Sequence, residues 1–113
     1  MKNNKMSTQN QTPGFIHNVF FWLKEGISED EKTSFLKALK TLGEIKTVRA
    51  LYTGTSAGTP RTVVDNSYDF SLIVHLDDVE GHDAYQVDPI HDVFANGQNH
   101  LWTKVQVYDV LTK

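Results

Sequence analysis

The sequence predicts an α+β fold: a ferredoxin-like β-α-β-β-α-β protomer, with an antiparallel four-stranded sheet and helices on one face. Three observations predict it. Four runs rich in aromatic and β-branched residues read as strands, at 15–24, 45–53, 68–76 and 101–111. An amphipathic helical stretch with a start signal lies between the first two. Shorter helical stretches lie between the last two, so each half has a strand, a helix and a returning strand.

The first strand, FIHNVFFWLK, places Phe15, His17, Val19, Phe21 and Leu23 on one side and Ile16, Asn18, Phe20, Trp22 and Lys24 on the other. Large apolar groups on both sides predict a strand covered on both faces. Ser28-Glu29-Asp30-Glu31 fits a capping box, with Ser28 as N-cap and Glu31 reaching back. Phe35, Leu36, Leu39 and Leu42 follow at helical spacing and Gly43 is a stop, which sets a helix over 29–42. Residues 54–66, with two glycines and a proline, read as a loop that closes over a pocket or reaches a partner. It lacks the Gly-Lys-Ser/Thr ending of a phosphate-binding loop. Val79 to Gln86 reads as a short helix weakened by Gly81. Pro89 opens a last helical stretch over 89–95, ending near Gly97.

At 113 residues the chain has room for one domain. Residues 1–14 contain no Leu, Ile, Val, Phe, Tyr or Trp and read as a disordered tail, leaving 15–113 as the domain. Leu, Ile, Val and Phe exceed a quarter of the sequence, enough for a packed core. A net charge of −3 argues against a nucleic-acid partner bound through bulk positive charge. No signal peptide and no run of apolar residues long enough to span a membrane is present. The absence of cysteine excludes disulfides, thiolate metal sites and cysteine nucleophiles, and fits a cytoplasmic location. Helices cover only one sheet face. Phe20, Trp22, Trp102 and Tyr108 leave aromatic surface over, which predicts a homodimer packed through the sheet face.

Four segments resemble the stress-responsive dimeric α/β barrel (Dabb) family. The first is Ile16-His17 followed by an apolar run to Lys24. The second is the Lys-x-Gly-x-Ser/Thr-x-x-x-Lys-x-x-Phe pattern over Lys24 to Phe35. The third, and most specific, is Tyr-x-x-His-Pro-x-His-x-x-Phe over Tyr85 to Phe94. The fourth is Val-x-Val-Tyr-Asp over Val105 to Asp109. The resemblance covers about residues 15–111 and implies a dimeric α/β barrel. Many members have no established activity. One branch comprises plant polyketide cyclases, in which a Tyr–His pair works in a pocket between helices and sheet. Those positions match Tyr85 and His91 here. The family's first-strand His matches His17 and its last-strand Trp matches Trp102. Asp88 replaces the first His of the third motif, and Leu39 stands where the cyclases carry a further tyrosine.

Candidate catalytic residues are therefore Tyr85 and His91: a histidine to take a proton and a tyrosine to orient it or hold an enolate oxygen. The structural alternative has His91 capping a helix and Tyr85 filling core. Candidate ligand-lining residues are His17, Val19, Phe21, Phe35, Trp102, Val105 and Val107, facing a small apolar or aromatic ligand. His17 reads as a hydrogen-bonded core histidine ahead of a ligand-lining one. No metal site is expected, because the five histidines show neither HExxH nor 2-His-1-carboxylate spacing, and His82 with Asp83 reads as a solvated face. No cofactor is implied. Arg49 and Arg61 read as surface groups paired with acids. Three functions remain in view: a small-molecule-binding or stress-associated domain of undefined activity, a cyclase- or isomerase-like enzyme using Tyr85 and His91, and a purely structural stability protein. Convergence of Tyr85, His17 and His91 on a cavity of about 300 Å3 or more favours the first two.

Overall fold

The computed structural model describes residues 12–113. In chain order the elements are β1 (Phe15–Leu23), α1 (Glu29–Thr41), β2 (Ala50–Gly54), β3 (Phe70–Leu76), α2 (Val79–Gln86), α3 (Pro89–Gln98) and β4 (Trp102–Leu111). Single 3-10 turns, Leu42–Glu44 and Asn99–Leu101, follow α1 and α3. The sheet order is β2-β3-β1-β4 with every pair antiparallel, the ferredoxin-like arrangement expected. No described helix is long and apolar enough to cross a membrane.

In β1, Phe15, His17, Val19, Phe21 and Leu23 are buried against the helices. The other side is only half-buried, so the chain by itself covers one face of this strand rather than both. The α1 helix starts where the capping box requires. The Ser28 hydroxyl accepts from the Glu31 N–H at 3.0 Å, and Glu31 accepts from the Ser28 N–H at 2.9 Å. Phe35 and Leu39 on its inner face are fully buried. They meet Leu42, Ile45, Leu72, Val74 and Leu76 in one core.

Three boundaries differ from expectation for local reasons. The second strand begins at Ala50 rather than at residue 45, because Ile45 plugs the core and a turn follows it. That turn is closed by Val48 N–H to the Ile45 carbonyl at 3.0 Å and by the Arg49 guanidinium to the Lys46 carbonyl. The third strand begins at Phe70 because Tyr68 leaves the sheet to pack edge-on against Phe20. The α3 helix runs through Gly97 to Gln98, since its apolar face outweighs the roughly 1 kcal/mol cost of a helical glycine.

One extra residue disturbs the β1–β4 ladder. Trp22 pairs with Lys104 while Leu23 pairs with Trp102, so Thr103 bulges. Trp102 consequently faces the helices, against Phe21, Phe35 and Phe94, and does not belong to the aromatic surface left uncovered. The tail predicted over 1–14 lies outside the described residues up to residue 11. Pro13 and Gly14 are fastened to the end of the chain, their carbonyls accepting from the Thr112 hydroxyl and N–H. A Cβ on Gly14 would collide with the Asp77 carbonyl oxygen, so only glycine fits there.

Candidate functional site

A cavity of about 200 Å3 opens between the helices and the β1–β4 half of the sheet. It is smaller than the volume that would by itself favour a ligand site. Strand alternation supplies its floor: Val19 and Phe21 from β1, Val105 and Val107 from β4, which are register partners. Leu42, Phe94 and Trp102 close the sides. The polar groups are His17, Tyr85, Gln86 and His91. Eight of the nine predicted site residues are thus brought together. Phe35 is not: it lies fully buried behind Phe21 and Trp102, because position 35 points to the centre of the α1–sheet contact. No residue of the 54–66 loop lines this cavity. Its Asp65 instead borders, with Tyr68, a groove of about 170 Å3 on the opposite sheet face.

His17 is a buried histidine with a partner. Its Nδ1 lies 2.6 Å from a carboxylate oxygen of Asp109, directly across the ladder. Burial lowers its pKa, and the hydrogen bond and charge of Asp109 oppose that shift. Asp109 fixes the tautomer by accepting a hydrogen bond from Nδ1–H, which leaves Nε2 as the acceptor nitrogen.

Tyr85 sits between the two other rings, edge-on to His17 at 5.5 Å and to His91 at 5.2 Å. Its ring is buried, and burial pushes its pKa upward, so the phenol keeps its proton. Among the described residues no hydrogen bond joins Tyr85 to His91. The α3 helix presents His91 from its first turn. There the cap is Asp88, whose carboxylate accepts from the Ile90 N–H at 2.8 Å, and Pro89 occupies the first helical position. The departure at position 88 is therefore a helix cap, a role His91 does not fill. Burial lowers the pKa of His91, against the opposing charges of Asp92 and Asp88. Leu39, at the other departure, is core.

Two contributors escaped the sequence reading. Asp109 shares the parity of Val105 and Val107 on β4, the one signal that places it beside His17. His82 is not on a solvated face. Its ring stacks on Phe15 at 4.5 Å, and its side chain is 15% exposed. It lies three and four residues before Tyr85 and Gln86, hence on the inner face of α2. His17, His82 and Asp109 come within 4.8 Å of one another through their ligating atoms. The 2-His-1-carboxylate pattern missing from local spacing is assembled across β1, α2 and β4. Arg49 behaves as expected, donating twice to Asp77 at 3.1 and 2.8 Å.

The opposite sheet face carries a second aromatic cluster. Phe20 meets Tyr68 at 4.9 Å and Tyr108 at 6.2 Å, and the Lys104 ammonium stands 4.4 Å over the Trp22 ring. Tyr52 and Tyr108 remain more than half exposed.

An antiparallel ferredoxin-like sheet with a histidine- and tyrosine-bearing cavity under its helices defines the class. The sequence profile of the Stress Responsive A/B Barrel Domain family matches residues 15–111, and the chain belongs to that family. None of the curated proteins matches it in sequence. Solved structures resemble it in fold. A dimeric ferredoxin-like protein of unknown function from Thermobifida fusca is 21% identical with a TM-score of 0.74, over 90% of this chain and 93% of that one. A Dabb family protein with a ferredoxin-like fold from Mesorhizobium loti is 22% identical with a TM-score of 0.73, over 88% and 96%. A hydroxynitrile lyase from Passiflora edulis is 18% identical with a TM-score of 0.74, over 90% and 96%. Similar folds thus accompany different or undefined activities, and the activity of this chain has to be argued from its own site.

Proposed function

We propose that this stress-responsive barrel domain binds a small apolar or aromatic molecule carrying one hydrogen-bonding group, and works as a homodimer joined through the open sheet face. One observation carries the first part: His17, Tyr85 and His91, distant in sequence, border one cavity whose remaining walls are mostly apolar. Its volume suits a single-ring molecule. The arrangement favours binding over chemistry by a Tyr85–His91 pair, because those rings meet edge to face and share no hydrogen bond among the described residues. The exposed Tyr52, Tyr108 and Val110 support the second part, together with the dimeric Thermobifida fusca protein of similar fold.

The test uses 4-methylphenol, benzaldehyde and pentane-2,4-dione as probes, read by thermal shift and by Trp102 fluorescence. Saturable binding to the wild type that is lost in a folded His91→Ala variant supports the reading. No saturable binding to the wild type, or equal binding by the variant, overturns it.

A further inference from the structure

We propose that His17, His82 and Asp109 form a binding site for a divalent first-row transition ion of the zinc type, with Gln86 as a fourth ligand. The proposal does not depend on what the cavity binds. Ligand atoms about 2.0–2.1 Å from a tetrahedral zinc stand about 3.3 Å from one another. The ligand atoms of His17, His82 and Asp109 all lie within 4.8 Å of one another, and two of the pairs bracket that separation. His17 Nδ1 lies 2.6 Å from one Asp109 oxygen, and His82 Nε2 lies 3.8 Å from the other. The Gln86 amide is 3.2 Å from His82 Nε2, and turned over it presents its oxygen at the same point. An ion held among these four groups would replace the proton shared by His17 and Asp109.

The surroundings of His82 strengthen the assignment. Its Nδ1 lies 3.2 Å from the Asp83 carboxylate. With the Nδ1 proton donated there, Nε2 is the acceptor nitrogen, 3.2 Å from the Gln86 amide and 3.8 Å from the Asp109 carboxylate. A carboxylate behind the distal nitrogen of an imidazole is the usual support of a histidine metal ligand. The ring is further held by its stack on Phe15. The three main ligands come from β1, α2 and β4, so a folded framework spaces them. Two imidazoles, one carboxylate and one amide suit zinc, cobalt or nickel better than calcium or magnesium, which take oxygen. His17 and Gln86 both border the cavity, so the ion would sit in its wall.

The experiment titrates tag-free, chelator-treated full-length protein with cobalt chloride and with zinc sulfate. The expected result is one equivalent bound per chain, visible d–d absorption from cobalt, and a rise in melting temperature with zinc. His82→Ala and Asp109→Asn each weaken binding at least tenfold, while His100→Ala on the exposed 3-10 turn leaves it unchanged. Far-UV circular dichroism establishes that the variants are folded, and Asp109→Asn keeps the side-chain shape if His82→Ala does not fold. Zinc-dependent shifts of the His17 and His82 ring nitrogens in 15N spectra of the wild type provide a readout free of any variant. Absence of stoichiometric binding, retention of binding in both variants, or loss of binding in His100→Ala overturns the proposal.

Discussion

His17 of β1 and Asp109 of β4 are register partners across the sheet, and their side chains meet at 2.6 Å, 92 residues apart in sequence. A buried imidazole donor that loses its acceptor keeps its desolvation cost. In chelator-treated protein, Asp109→Ala is predicted to destabilise the fold by about 1–3 kcal/mol. Asp109→Asn, which retains an oxygen acceptor, loses less. Urea denaturation of both variants checks the order; equal stability of Asp109→Ala and wild type would show that the pair contributes nothing.

Tyr85 separates packing from recognition. Its ring is buried, while its hydroxyl has no hydrogen-bond partner among the described residues. Tyr85→Phe should change stability by no more than about 0.5 kcal/mol. Tyr85→Ala should cost about 3–5 kcal/mol, as truncation of a buried aromatic does. Binding of 4-methylphenol should weaken in the phenylalanine variant. A large stability loss in Tyr85→Phe would contradict this division.

Acidification should act through His91. Burial lowers its pKa in the folded chain, against the opposing carboxylates of Asp88 and Asp92 and with a small further lowering from His82. The unfolded chain therefore binds the proton more readily. The contribution of His91 to stability is complete above the ordinary histidine pKa and declines as pH falls towards the folded value. Between about pH 7.5 and 5.5, the unfolding midpoint of His91→Gln should fall less than that of the wild type. Parallel curves would exclude His91 as a contributor.

The cap of α1 offers a local test. Ser28→Ala removes the acceptor of the Glu31 N–H and should cost about 1 kcal/mol in chemical denaturation. An unchanged midpoint would mean that solvent replaces the cap without loss.

The open sheet face predicts association. Light scattering at micromolar concentration should give a dimer for the wild type and a shift towards monomer for Tyr108→Glu, which puts charge beside Phe20 in the aromatic cluster. A monomeric wild type would remove the homodimer from the proposed function.

What was legible in the sequence follows the distance over which each feature acts. Ser28 and Glu31 meet within one turn, so their box was readable. His17, Tyr85 and His91 were readable from motif and parity, and they border one cavity. Asp109 and His82 were not, because each acquires its role only when β4 pairs with β1 and α2 folds onto both. Phe35 failed for a related reason: periodicity tells which face of a helix is apolar, but not which of its residues reaches a cavity and which stays behind it. The shifted start of β2 reflects Ile45, a β-branched residue used as a core plug rather than in a strand.

The bulge at Thr103 has a consequence for how the chain tolerates change. It acts as a parity switch. Up to Trp102 and from Lys104 onward, the same odd–even count would assign opposite sides, and one residue out of step reconciles them. Trp102 thereby joins the cavity while Lys104 reaches Trp22 on the far side. Two surfaces are phased by a single residue, so a length change there would alter both at once, and the Thr103 hydroxyl ties the bulge to β1 by donating to the Trp22 carbonyl at 3.2 Å.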